Sequence, residues 1–161
     1  MTLPEDPSAP TDFDFYVGSW RVQHRRLKDR LVGSTTWEEF DGRCIVTNLL
    51  GGFANVDDTM LDMPSGPYRA LALRAFDPKT STWSIWWLDS RDPRSLGVPV
   101  VGRFENGEGT FFANETLREQ PIVVRFRWTR VRSTSPHWEQ AFSADGGATW
   151  EVNWTMDFQR A

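Results

Sequence analysis

The chain has 161 residues, a net charge of −4 and an isoelectric point of about 5.2. That length suits one domain with a real core, and an acidic balance with scattered Lys and Arg argues against a nucleic-acid partner. Its one cysteine, Cys44, excludes an intrachain disulfide and any cysteine-based zinc set.

Residues 1–12, "MTLPEDPSAPTD", carry three prolines and three acids and read as a flexible or loosely draped lead-in to one domain over residues 13–161. They lack the basic head and apolar run of a signal peptide. No stretch approaches the roughly 20 apolar residues of a membrane span. The expectation is a soluble cytoplasmic protein. One helical turn is expected around Thr11–Tyr16, capped by Thr11 or Asp12. Beyond it, period-2 segments run over 18–29, 34–41, 43–50, 53–62, 67–76, 82–90, 99–105, 109–117, 121–131, 136–143 and 149–159.

The turns between them are legible. "ENGEG" (105–109) centres a hairpin on Asn106-Gly107. "FDPKTSTW" (76–83) reverses at Asp77 and Pro78. "SADGGATW" (143–150) resembles the Asp-box, in which an Asp side chain staples a hairpin turn; a single copy reads as structural. About ten antiparallel strands joined by short hairpins predict an all-β fold, a closed up-and-down barrel, because closure removes the exposed edges.

Alternation assigns the faces. Ile122, Val124, Phe126 and Trp128 point inward, as do Trp138, Gln140 and Phe142. The last strand reads Trp150, Val152, Trp154, Met156 and Phe158 inward. In the first strand Trp20, Val22, His24 and Arg26 share one face, opposite Arg21, Gln23 and Arg25. His24 is therefore expected inside, with Glu39, on the same face as Trp37 in the next strand, as its nearest polar partner. In 53–62 the parity of Asn55 and Asp57 is open. Segment 82–90 is apolar on both faces, which suggests a cover outside Trp86 and hence a homodimer.

Gly18-Ser19-Trp20, a Gly-x-Trp opening the first strand, resembles the calycin group of lipocalins and fatty-acid-binding proteins. The ordered blocks "FDFYVGSWRVQHRRL", "WEEFDG", "LLGGFANVDD", "LRAFDPKTSTWSIWWLDSR", "VVGRFENGEGTFF" and "WEQAFSADGGATWEVNW" look like an uncharacterised bacterial family of lipocalin-like domains. That resemblance implies a barrel around a cavity and brings no catalytic residues. The neighbouring nitrobindin-like haem barrels fit less well. No Gly-x-Trp-x-Gly-x-Gly block occurs, and His137 falls on an outward face, so haem is disfavoured and no cofactor is expected.

Nine Trp and eleven Phe can fill a core or line a pocket. The candidate ligand-binding set is Trp20, His24, Arg26, Trp37, Glu39, Asn55, Asp57, Arg74, Trp87, Asp89, Phe126, Trp128, Gln140 and Trp154. The first reading is a binding protein for a small hydrophobic or amphipathic molecule, mostly apolar with one polar end. The alternative is a cofactor-independent isomerase, cyclase, dehydratase or decarboxylase, with His24 and an inward carboxylate, Glu39 or Asp89, as acid and base. A third is a filled barrel that serves association through the Trp86 face. No metal set is expected, because the two histidines fall on opposite faces.

Overall fold

Ten strands close around one axis in the computed structural model, which describes residues 1–161. They are β1 (Gly18–Leu27), β2 (Trp37–Leu49), β3 (Ala54–Leu61), β4 (Tyr68–Asp77), β5 (Thr82–Asp89), β6 (Val100–Glu105), β7 (Glu108–Leu117), β8 (Gln120–Thr129), β9 (His137–Ser143) and β10 (Glu151–Arg160). Each pairs antiparallel with the next, and β10 pairs with β1, so no edge is left free. This closed antiparallel barrel is consistent with a calycin-type fold. Helix is limited to single 3-10 turns at Asp14–Tyr16 and Leu50–Gly52. No helix is long and apolar enough to cross a membrane.

Segments 34–41 and 43–50, read as two strands, are one. Residues Trp37–Leu49 run unbroken through Gly42, which stands opposite Val22 of β1. The glycine is not a break but a space. A Cβ there would lie 2.6 Å from Nε2 of His24 and 2.8 Å from the Met60 carbonyl oxygen. The imidazole occupies the volume that a side chain at position 42 would fill.

The parity of β10 also differs from the simple alternation. A bulge between Val152 and Trp154 shifts the register against β9, and one extra residue flips every side chain beyond it. Trp154, Met156 and Phe158 keep the inward face. Trp150 and Val152 turn outward: Trp150 packs against Phe112, 6.0 Å between ring centroids, with the Arg125 guanidinium 4.4 Å above its ring. The turn before β10 is stapled as the Asp-box pattern predicts, Asp145 Oδ1 accepting from Ser143 Oγ at 2.7 Å and from the Thr149 N–H at 2.8 Å.

One barrel end is sealed by aromatics. The turn at Asp14–Tyr16 inserts Phe13 and Tyr16 among Trp20, Trp83, Phe111, Trp128 and Phe158, all buried. Phe13 meets Trp83 and Phe104 edge-on, each at 4.9 Å, the arrangement that ring quadrupoles favour. The expected cap on this turn is absent: Phe13 occupies the capping position with no side-chain bond. Asp12 instead accepts the Trp83 indole N–H at 2.9 Å. Trp20 joins the floor, its indole N–H donating to the Tyr16 carbonyl at 2.7 Å. Residues 1–12 form no strand or helix and run past the Leu50–Gly52 turn, where the Asp6 N–H donates to the Gly51 carbonyl at 2.8 Å.

The opposite end carries the connections 28–36, 62–67 and 90–99. There the wall is thin on one side, because β5 and β6 share only the pairs Trp83–Gly102, Ser84–Val101 and Ile85–Val100. Beyond Ile85, β5 pairs with β4 alone out to Asp89, and residues 90–99 then connect it to β6 at the rim. On the outer wall, Trp86 and Leu88 of β5 stand half-buried beside Leu73 and Leu71 of β4.

Candidate functional site

The open end holds a cavity of about 360 Å3, within the range of small-molecule sites. Its walls are aromatic: Trp87, Phe126, Trp138, Phe142 and Trp154, with Ile85, Val100 and Val124. Trp154 meets Trp87 at 5.7 Å and 77°, and Trp138 at 5.7 Å and 90°. Such edge-to-face contacts fix the walls in place. The polar lining sits among them and at the rim: Arg26, Arg30, Asp89, Arg91, Glu115 and Gln140. Asp89 is engaged by Arg91 at 2.9 Å, and its carboxyl is held down at about 2, chiefly by that hydrogen bond. The Gln140 side-chain amide donates to the Oδ1 of the buried Asn153 side chain at 2.8 Å.

A larger concavity of about 550 Å3 lies outside the barrel over Arg21, Gln23, Asp41, Arg43, Asp157 and Gln159. Val22 is its single apolar lining residue, so it offers no dry surface to hold a ligand. The cavity at the rim is the better-built site.

Below the rim cavity the barrel is nearly solid. A second void of only about 40 Å3 shares Ile85, Trp87, Phe126 and Trp138 with the first. Those four side chains form a partition. Beneath it lies a charged network, which resolves the parity of 53–62: Asn55, Asp57 and Thr59 face inward and are buried. Asp57 accepts from Arg74 at 2.8 Å, from the Tyr16 hydroxyl at 3.2 Å and from the Ala72 N–H at 2.9 Å. Arg74 donates also to Asn55 at 3.1 Å and lies over the Phe13 and Tyr16 rings. Burial drives the Tyr16 hydroxyl well above its usual range and the Cys44 thiol up to about 12. The buried ion pair and its neighbours Asn55, Tyr16 and Ala72 plug the lower barrel, with the Arg74 Nε alone lacking an acceptor.

His24 faces inward and is completely buried. Its partner is Trp154, whose indole N–H donates to Nδ1 at 3.1 Å; the ring stacks on Phe40 at 4.7 Å and 8°. Nε2 has no partner. Burial first, and the Arg26 charge second, hold the imidazole pKa down to about 3, so the ring is neutral. His24 lines neither interior void.

Glu39 and Trp37, expected beside His24, stand on the outer wall. The residue opposite His24 on β2 is Phe40, and Glu39 lies opposite Arg25. Arg25 reaches Glu39 at 3.7 Å and lies 4.2 Å above the Trp37 ring. The merged strand explains the error, since Phe40, Gly42 and Cys44 supply the inward set.

Of the residues singled out in the sequence, Arg26, Trp87, Asp89, Phe126, Gln140 and Trp154 meet at the rim cavity. Asn55, Asp57 and Arg74 form the lower network, with Trp128 beside it and Trp20 in the floor. Arg30, Arg91, Glu115, Trp138 and Phe142 line the cavity as well. Trp138 and Phe142 were legible as inward strand residues. Arg30 and Arg91 sit on connections, where no periodicity assigns a direction. No group of three or more His, Cys, Asp and Glu side chains is placed to hold a metal ion. Comparison with protein-family models and with curated proteins finds no match to the chain.

Proposed function

We propose that this chain is a calycin-type, lipocalin-like binding barrel that takes up a small, mostly apolar molecule at its open end, with the ligand's polar group at the rim. The observation that carries this reading is the division of the interior. One half is sealed by aromatics and a self-paired ion network, and the other holds a cavity of about 360 Å3 walled by Trp87, Trp138 and Trp154. Apolar walls with a few convergent polar groups are the build of a small-molecule site.

The acid–base reading lacks its geometry. It needs His24 on the cavity, titrating near neutral pH, and the ring is sealed away and neutral. Its position instead supports a structural role beneath the cavity wall.

The test is native mass spectrometry of freshly purified protein, followed by tryptophan-fluorescence titration with alkyl and aryl ligands. A co-purifying adduct of a few hundred daltons, or saturable quenching that Trp154→Phe alters, supports the reading. No adduct and no saturable change across such a series would sink it.

A further inference from the structure

We infer that the molecule taken up at the rim is an anion, its carboxylate or equivalent oxyanion held by Arg26 and Arg30 while its apolar remainder lies among Trp87, Trp138 and Trp154. The inference rests on the binding reading above and names the chemistry of the ligand's polar end.

The charge balance of the cavity points this way. Its lining carries three guanidinium groups, Arg26, Arg30 and Arg91, and two carboxylates, Asp89 and Glu115. Arg91 and Asp89 satisfy each other through two hydrogen bonds, at 2.9 and 3.2 Å. Neither Arg26 nor Arg30 enters any ion pair of the molecule. Glu115 is exposed on β7, four strands around the wall from β1, and pairs with neither.

Both guanidiniums are half-buried and poorly served by the protein. Arg26 lies 4.6 Å over the Trp154 ring; its polar neighbours are only the Met63 sulfur at 3.6 Å and the Tyr68 hydroxyl at 3.5 Å. The thioether is a weak acceptor, and 3.5 Å to the hydroxyl is at the limit of a useful hydrogen bond. The Nε of Arg30 is buried without any acceptor, which a folded protein seldom tolerates. Desolvation, then the neighbouring Arg26 charge, lower the Arg30 pKa to about 10 against the smaller opposing influence of Tyr68 and of the Glu151 carboxylate, which lies beyond ion-pair distance, leaving it charged at neutral pH. Two like charges thus line one partly dry mouth. An oxyanion relieves their repulsion and supplies acceptors, and guanidinium geometry matches a carboxylate. A cationic ligand would add a third positive charge, and a neutral one would leave the two opposed.

The lower Arg74 is no competitor for this role. Its guanidinium donates to Asp57 and Asn55, so its charge is already compensated.

Isothermal titration with decanoate, decan-1-ol and decylammonium tests the assignment. Decanoate is expected to bind at least ten-fold tighter than decan-1-ol, with decylammonium weakest. Arg30→Gln and Arg26→Gln should each remove most of that preference, and Arg30→Lys should keep part of it. Far-UV circular dichroism and a melting curve on each variant verify folding. Equal affinity of the wild type for decanoate and decan-1-ol overturns the anion assignment and leaves the binding reading standing. So does a preference that survives in folded Arg30→Gln and Arg26→Gln. Failure of all three probes to bind overturns both.

Discussion

The Trp154 indole donates its N–H to Nδ1 of His24 across 3.1 Å, and the Arg26 guanidinium lies 4.6 Å over the same ring. A histidine sealed in the barrel thereby fixes a wall of the cavity it does not touch. Accepting at Nδ1 requires the neutral ring with its proton on Nε2. The pairing is thus a condition on protonation.

That condition gives a pH prediction. His24 titrates near 6.5 in the unfolded chain and near 3 in the fold. Between those values the unfolded chain binds a proton that the fold excludes. The His24 contribution is therefore intact above about pH 6.5 and lost progressively as pH falls toward 3, at about 1.4 kcal/mol per pH unit. His24→Phe should be less stable than wild type at pH 8 by about 1–3 kcal/mol, because the Trp154 N–H loses its acceptor. Its deficit should shrink from pH 6.5 downward. Urea unfolding at pH 8, 6 and 4.5 measures both; parallel pH slopes would show that His24 is protonated in the fold.

Gly42 should tolerate no side chain. A Cβ at 2.6 Å from the His24 ring and 2.8 Å from the Met60 backbone must displace one of them. Gly42→Val is expected to cost about 1–3 kcal/mol or more. In the His24→Ala background, where the ring is gone, the added cost should be smaller. A double-mutant cycle with an interaction energy near zero would mean that the two positions do not share this space.

Asp57→Ala should be among the most damaging changes in the chain. It leaves Arg74 charged and buried beneath the partition, at a cost of about 3–5 kcal/mol. Asp57→Leu with Arg74→Met removes both charges together and should recover part of that loss. Thermal melts of the single and double variants decide it. A double variant no more stable than the worse single one would show that the network's other members, Asn55 and Tyr16, depend on the pair.

How far the sequence reached follows from what sets each feature. Hairpin turns and period-2 alternation are local, so the strands, the closure and the inward sets of β8 and β9 were readable. Gly42 misled because a glycine inside a strand looks like a turn until the side chain that fills the space over it is known; that side chain is His24, two residues along β1 from its register partner Val22. The bulge at Val152–Trp154 has no signature in the alternation, and it moved Trp150 outside. Arg26 was placed on the inward face, with His24, from strand parity. Arg30 was not, since residue 30 lies on a connection and its aim is set by long-range packing against Phe142. Asp57 and Arg74 were named only as candidate ligand-binding residues, with the parity of Asp57 open; their network depends on Tyr16 and Cys44, which arrive from distant parts of the chain.

Trp87→Ala tests the partition itself. Trp87 lines both the cavity of about 360 Å3 and the void of about 40 Å3, and it braces Trp154 edge-on at 5.7 Å. Removing the indole joins the two spaces and frees one side of Trp154. The stability loss should fall below the about 3–5 kcal/mol of a fully buried Trp→Ala change, because Trp87 is half-buried. The binding consequence is directional. With the partition breached, an alkyl chain gains depth toward Ala72 and Met156, which line the lower void. The preferred chain length in a carboxylate series from octanoate to tetradecanoate should therefore lengthen relative to wild type. Each added buried methylene contributes about 0.8 kcal/mol, so the longest chain that still gains affinity marks the depth reached. Titration calorimetry across the series reads that optimum directly. An unchanged optimum in a folded Trp87→Ala protein would mean that the chain does not run down the barrel axis, and that the ligand lies across the rim instead.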